Sequence, residues 1–118
     1  MMTAKLMQKK NKSKLKTTTN HWDLQRALEK KVAHYESLTK KGLEKISILA
    51  RKGTKEYAIA VDYVSMARNY FFDAQHFRKQ GEWLIALAAF SYAHAWLDAG
   101  VRAGLFDGKE DDQLFTLP

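Results

Sequence analysis

The fold is decided by residues 55–104, which read KEYAIAVDYVSMARNYFFDAQHFRKQGEWLIALAAFSYAHAWLDAGVRAG. Apolar residues recur every three or four positions on both sides of Gly81, a pattern typical of two helices joined by a tight turn. The sequence predicts the first helix of this pair over about Lys55 to Lys79. It predicts the second over about Glu82 to Ala103, with Gly104 as its end.

The two helices of the pair differ in how they distribute apolar residues. The helix before the turn alternates small and large side chains on one face, which lets a neighbouring helix approach closely. This face holds Ala60, Tyr63, Val64, Ala67, Tyr70, Phe71, Ala74 and Phe77. The helix after the turn is apolar nearly all round. That composition predicts a central helix, or one whose second side is covered by another subunit.

A further helix is predicted upstream, over about His21 to Arg51, on apolar residues spaced by three and four. Basic residues at Arg51 and Lys52 and then Gly53 indicate its end, and Thr54 can cap the following helix. No strand pattern competes with these three helices.

Short connections between three helices indicate an all-α fold, an up-down-up antiparallel three-helix bundle. We expect residues 21–118 to form this one domain, with a short acidic C-terminal segment whose Leu114, Phe115 and Leu117 can dock on it. Residues 1–20 hold six Lys and no acid, and they lack a sustained apolar period. We expect them to form a disordered basic tail.

Composition excludes several classes of protein. The chain has no Cys, which excludes disulfides and thiolate metal sites and fits a reducing, cytoplasmic setting. Its basic N-terminus is not followed by the apolar stretch of a secretory signal. The longest apolar run contains Asp98, whose burial in lipid costs roughly 3 kcal/mol. We therefore expect no association with a membrane.

The run from Met66 to Phe106 resembles an uncharacterised, mainly archaeal family, domain of unknown function 357. The positions that carry the resemblance are Met66, Ala67, Tyr70, Asp73, Ala74, Phe77, Gly81, Glu82, Tyr92, Ala93, His94, Leu97, Asp98, Ala99, Gly100, Gly104 and Phe106. The sequence departs from the family pattern at Ala95, where Gly is usual, and at Ala103, where Leu is usual. The resemblance implies a three-helix bundle and no assigned activity.

Two other likenesses are partial. Residues 81–93 are similar to half of a tetratricopeptide hairpin, but no repeat follows at the period of about 34 residues that such a solenoid needs. RNA-cleaving helical domains carry Arg and His separated by four to six residues. Here Arg26 and His34, and likewise Arg68 and His76, are separated by seven, which is outside that pattern.

Four polar residues on the last helix share one face at spacings of three and four: Ser91, His94, Asp98 and Arg102. We call them the polar seam. An Asp beside a His can raise the basicity of the ring, as a general base or a metal ligand requires. The alternative is a structural seam, in which Asp98 bonds His94 and Arg102 and fixes the register of the helices.

Asp73 and His76 form a second candidate pair, with a spacing used in metal-binding bundles. Antiparallel pairing about Gly81 places this pair too far along the axis to meet the seam. The sequence therefore predicts no metal site and no cofactor.

Two surfaces are candidates for partners. Phe72, Trp83 and Trp96 lie off the main apolar stripes and form a candidate protein interface. Candidate phosphate contacts are Lys5, Lys9, Lys10, Lys12, Lys14 and Lys16 of the tail. The first helix adds Arg26, Lys30, Lys31, Lys40, Lys41 and Lys45.

These observations leave three functions open and assign no catalytic residue. The first is a non-catalytic protein-interaction module that binds a copy of itself or another protein. The alternative is association with nucleic acid or the ribosome through the tail and the basic first helix. A second alternative is an enzyme or small-ligand site on the polar seam.

Overall fold

The computed structural model describes residues 21–118. It contains three helices, α1 (His21–Lys45), α2 (Lys55–Lys79) and α3 (Trp83–Arg102), and two short strands, β1 (Ser47–Ile48) and β2 (Phe106–Asp107). The predicted all-α three-helix bundle is confirmed. The predicted tail of residues 1–20, with its six candidate phosphate contacts, lies outside the described residues.

Helix α3 is the centre of the bundle and packs along both other helices. Thr39 of α1 contacts His94 of α3, so α1 lies beside α3. Helix α2 runs antiparallel to both of them. Helices α1 and α2 meet over a smaller area, where Glu36 bonds Gln75 at 2.9 Å and Arg78 at 2.8 Å. The up-down-up order follows from these contacts.

The core has two parts along the axis of the bundle. The part near the Gly81 turn contains Val32, Phe71, Ala74, Ala86, Phe90 and Ala93. The part near the other end contains Ala60, Ala67, Leu97, Val101, Phe106 and Phe115. The second part depends on two aromatic rings from beyond α3, so the C-terminal residues belong to the core.

Helix α3 is also the one helix of residues 21–118 that is long and apolar enough to span a membrane by length and composition. Core helices of globular proteins can have the same length and apolar composition. Its inner residues, such as Phe90 and Leu97, are fully buried against the other helices. Packing inside the bundle accounts for the apolar residues on the inner side of this helix.

Local sequence signals set the start of α2. The backbone N–H of Tyr57 donates to the Thr54 hydroxyl at 3.2 Å, which satisfies one of the free amides of the first turn. Gly53, which precedes Thr54, has a φ of +88°, a conformation that a residue with a Cβ rarely adopts. The predicted cap and break are therefore present.

The predicted end of the first helix at Arg51 is wrong, because α1 ends at Lys45. Ser47 and Ile48 leave the helix and pair antiparallel with Asp107 and Phe106. The N–H of Leu49 then donates to the carbonyl of Leu105 at 3.0 Å. The sequence also predicted no strand, since two-residue strands carry no detectable period.

The turn after β2 holds two residues in an unfavourable backbone conformation. Lys109 and Glu110 have φ values of +56° and +57°, and the Asp111 N–H donates to the Gly108 carbonyl at 3.1 Å. Positive φ at both central residues is the signature of a type I′ turn, which favours Gly and Asn. We expect Glu110→Gly to raise the free energy of unfolding by up to about 1 kcal/mol in urea denaturation.

The control for Glu110→Gly is Asp112→Gly. Asp112 is exposed in the same segment but has no positive φ. Glycine there should lower the stability by about 0.5 kcal/mol, because it adds freedom to the unfolded chain and removes only a long, exposed hydrogen bond from Gln113. Equal effects of the two substitutions would contradict the turn assignment.

Candidate functional site

His94 is the buried centre of the polar seam. Its Nε2–H donates to the backbone carbonyl of Leu114 at 2.6 Å, and its Nδ1 lies 3.3 Å from the hydroxyl of Thr39. The side chain of Thr39 is fully buried. Because Nε2–H is used by Leu114 and Nδ1 faces a buried hydroxyl, neither ring nitrogen is open to a metal or substrate from solvent. His94 thus joins α1, α3 and the C-terminal residues.

Two further seam residues bind the same C-terminal stretch. The carboxylate of Asp98 accepts the N–H of Thr116 at 2.9 Å and lies 3.8 Å from His94 Nε2. Arg102 donates to the carbonyl of Leu117 at 2.8 Å. The fourth member, Ser91, is exposed and takes no part in these bonds.

The seam therefore attaches residues 108–118, which we call the C-terminal segment. A structural seam predicted a bond between Asp98 and Arg102, but both side chains bind backbone atoms of the segment instead. Phe115 anchors the segment, with 3% of its surface exposed and its ring stacked on His94 at 6.1 Å. The geometry gives the seam a role in closing the fold.

An ion pair fixes the start of the segment. The Lys45 ammonium lies 2.7 Å from the Asp111 carboxylate and, with backbone N–H groups of Leu114 and Gln113, lowers the pKa of Asp111. A lowered folded-state pKa means that this contribution is present at neutral pH. It is lost as the pH falls through the carboxyl's range. The segment is thus held best near neutral pH.

Asp107 is also held as a carboxylate. The backbone N–H of Lys109 donates to it at 2.8 Å, and the Lys109 ammonium lies 3.2 Å away. These two bonds, the backbone one first, lower the pKa of Asp107. The ion pair between Lys109 and Asp107 connects the type I′ turn to β2.

The second candidate pair does not form a site with other ligands. Asp73 and His76 both lie exposed on α2. Within residues 21–118, no three His, Asp or Glu side chains come together in a way that could hold a metal ion.

The three candidate interface residues occupy different environments. Phe72 is 61% exposed on α2. Trp83 is half-buried against the core near the Gly81 turn. Trp96 is also half-buried, with its ring edge-on to Tyr63 at 4.9 Å and to Tyr92 at 6.1 Å. Of the three, only Phe72 presents most of its side chain to solvent.

A larger apolar surface, which sequence reasoning did not locate, lies along α3. We call it the outer face of α3, and it consists of Leu84, Ile85, Ala88, Ser91, Tyr92, Ala95 and Ala99. All seven are exposed, Leu84 by 74% and Ile85 by 51%. No charged side chain lies among them. The all-round apolar composition of the helix was the signal, but the exposed side was unknown.

The predicted basic surface of α1 is exposed. Arg26, Lys30, Lys31, Lys40, Lys41 and Lys45 all face solvent. Among the ion pairs of residues 21–118, only Lys45 of this group takes part in one. The remaining five are available to an external anion.

The geometry defines a small helical bundle whose buried polar residues hold its own C-terminal segment and whose central helix leaves one apolar face open. The chain belongs to the family described as "Protein of unknown function (DUF357)", whose sequence model matches residues 34–106, more than half of the chain. The match runs from α1 to β2. No curated protein and no solved structure matches the chain.

Proposed function

We propose that the protein is a non-catalytic interaction module that binds a second copy of itself through the outer face of α3. One observation carries this proposal: the most apolar helix of the bundle has a wholly exposed face without a charge. A helix of 20 residues is about 30 Å long. On a small protein, an exposed apolar face without charges favours contact with another protein.

The composition of the outer face favours a second copy as the occupant. Two identical uncharged faces meet without repulsion between like charges. Ala88, Ala95 and Ala99 let two helix backbones approach closely, and the larger Leu84 and Tyr92 fill the space beside them. One helix face is smaller than a standard interface, which buries roughly 800 Å² per partner, so we expect a weak dimer that must be sought at micromolar concentrations and above.

Ala95→Glu is expected to raise the dimer dissociation constant at least tenfold, which corresponds to about 1.4 kcal/mol. Ala95 lies in the middle of the outer face, and a carboxylate there would have to lose its water in the interface. Sedimentation equilibrium over a micromolar concentration series measures the constant.

The control for this charge is Ala58→Glu. Ala58 is an exposed alanine on α2 that lies on the side of that helix turned away from α3. The Ala58→Glu substitution should leave the dimer dissociation constant unchanged. The proposal would be contradicted by a wild-type chain that stays monomeric at several hundred micromolar. Equal effects of Ala95→Glu and Ala58→Glu on the dissociation constant would also contradict it.

Association with nucleic acid is a second candidate, favoured by the unpaired basic surface of α1. Lys and Arg that contact phosphates displace counterions, so such binding does not depend on the nucleic-acid sequence and weakens as the salt concentration rises. The Lys residues of residues 1–20 would add to it. Either function suits a cytoplasmic protein, as the absence of Cys favours.

Lys41→Gln is expected to lower the salt dependence of binding to a DNA duplex. Each lost phosphate contact reduces the slope of log K against log salt by about 0.9. Fluorescence anisotropy over a salt series measures this slope. Lys79→Gln, an exposed Lys on α2, is the matched control and should leave it unchanged. Binding that does not respond to salt would exclude this mode.

A further inference from the structure

Residues 111–118, the part of the C-terminal segment that follows its turn, form a unit with internal hydrogen bonds, which we call the arm. The Asp111 carboxylate accepts the backbone N–H groups of Gln113 and Leu114, both at 3.0 Å. The Asp111 carbonyl accepts the N–H of Phe115, also at 3.0 Å. An Asp side chain that bonds the backbone N–H groups following it stabilises a local turn. These bonds lie within the arm and do not depend on where the arm docks.

The arm binds the bundle as a peptide binds a receptor. Three side chains of the polar seam bond its backbone, and Lys45 lies 2.7 Å from its Asp111 carboxylate. Its Phe115 ring fills a pocket in which Gly42 leaves room, since a Cβ at Gly42 would lie 3.2 Å from the ring. The docking surface comes from α1 and α3, and a second copy of the chain offers the same surface. The arm of one copy would make every one of these contacts on the other.

The turn between β2 and the arm determines which bundle the arm enters. Lys109 and Glu110 have φ values of +56° and +57° there, a conformation that strains residues with a Cβ. An extended turn would relieve this strain in both residues. It would break the hydrogen bond from the Asp111 N–H to the Gly108 carbonyl and the exposed bonds between Lys109 and β2, whose groups can bond water instead. A short, strained connection of this kind favours exchange of a terminal element between copies.

We infer that the arm exchanges between two copies of the chain, so that in a dimer each arm docks on the polar seam and the Phe115 pocket of the other copy. The exchange is independent of the outer face of α3, because the seam residues that bond the arm, His94, Asp98 and Arg102, are not part of that face. Phe115 is 3% exposed and must leave the core before the arm can move. A dimer formed at high concentration should therefore persist after dilution.

Cross-linking in the full chain tests the exchange. The chain has no Cys, so Lys45→Cys and Asp111→Cys each carry a single thiol, and the two positions meet where the arm docks. The two single variants are mixed, loosened in mild urea and returned to buffer at high concentration. A short bismaleimide should then join one variant to the other, which a denaturing gel shows as a covalent dimer. Each single variant alone is the matched control and should give little covalent dimer.

Two changes in the turn move the equilibrium in opposite directions. Deletion of Lys109 and Glu110 leaves a connection too short to turn back, so the arm reaches only a second copy and the chain should become mainly dimeric. Glu110→Gly removes strain from both turns of the pair and should raise the dissociation constant of the exchanged dimer up to roughly thirtyfold, which corresponds to about 2 kcal/mol. Asp112→Gly, beyond the turn, should leave this constant unchanged. Size-exclusion chromatography measures the dimer fraction in an Ala95→Glu background, which removes dimers made through the outer face of α3.

The outcomes separate arm exchange from the proposed function. If the mixed variants give no covalent dimer, while the double variant Lys45→Cys/Asp111→Cys is joined within one chain, arm exchange is overturned and the outer face of α3 remains the proposed interface. A covalent dimer that disappears when both variants carry Ala95→Glu also overturns it, because contact through the outer face would then have brought the thiols together. A covalent dimer that persists with Ala95→Glu supports arm exchange, whether or not the outer face forms a dimer. A deletion variant that stays monomeric contradicts it.

Discussion

Gly100→Ala is expected to lower the free energy of unfolding by about 3 kcal/mol, although Ala is the better helix former. A Cβ at Gly100 would overlap the ring of Phe106. That ring is 2% exposed, and its backbone is held by the pairing of β2 with β1. Overpacking a rigid core costs about 1–3 kcal/mol and exceeds the roughly 1 kcal/mol that Ala gains in a helix. Urea denaturation measures the difference.

Gly53→Ala is the control for that substitution. Gly53 has a φ of +88° and no atoms within 4 Å of an added Cβ. Its replacement should cost only the backbone strain of about 1–2 kcal/mol. If Gly100→Ala stabilised the protein, the close contact between α3 and Phe106 would be refuted.

Phe115→Ala is expected to lower the free energy of unfolding by about 3–5 kcal/mol. Phe115 is 3% exposed in the core near the end of α3 and stacks on His94. Its loss leaves a cavity that the adjacent Gly108 cannot fill. The C-terminal segment would keep only its surface bonds. Chemical denaturation followed by tryptophan fluorescence measures the change.

The matched control is Phe72→Ala, a deletion of the same size at a side chain that is 61% exposed. It should change the stability by no more than about 0.5 kcal/mol. Similar values for the two variants would mean that the C-terminal segment is not part of the core.

The predicted bounds of α2 and α3 are close to the observed ones because the signals for these helices are local. The helical period, the cap at Thr54 and the turn at Gly81 lie within the elements that they define. The end of α1 has a distant cause. Ser47 and Ile48 leave the helix because their backbone groups pair with residues beyond α3, and that partner is invisible in a local pattern.

The candidate site likewise combines local signals, which the sequence displays, with distant partners, which it does not. Helical spacing predicts that Ser91, His94, Asp98 and Arg102 share one face of α3, and the last three contact the C-terminal segment. Their partners are backbone atoms of an irregular segment, which has no period that a sequence could display. The outer face of α3 remained hidden for a related reason. Composition indicated excess apolar residues, but the face left open depends on where α1 and α2 pack.

The way in which β1 and the C-terminal segment close the bundle has a kinetic consequence. Helices α2 and α3 are neighbours in sequence, so their hairpin can form early at little loop-closure cost. The contacts of Leu49 with Leu105 and of His94 with Leu114 join parts that must come together afterwards. Loss of the Phe115 ring should therefore accelerate unfolding and leave the folding rate almost unchanged. We therefore expect the C-terminal segment to set the lifetime of the native state and not the rate at which it forms.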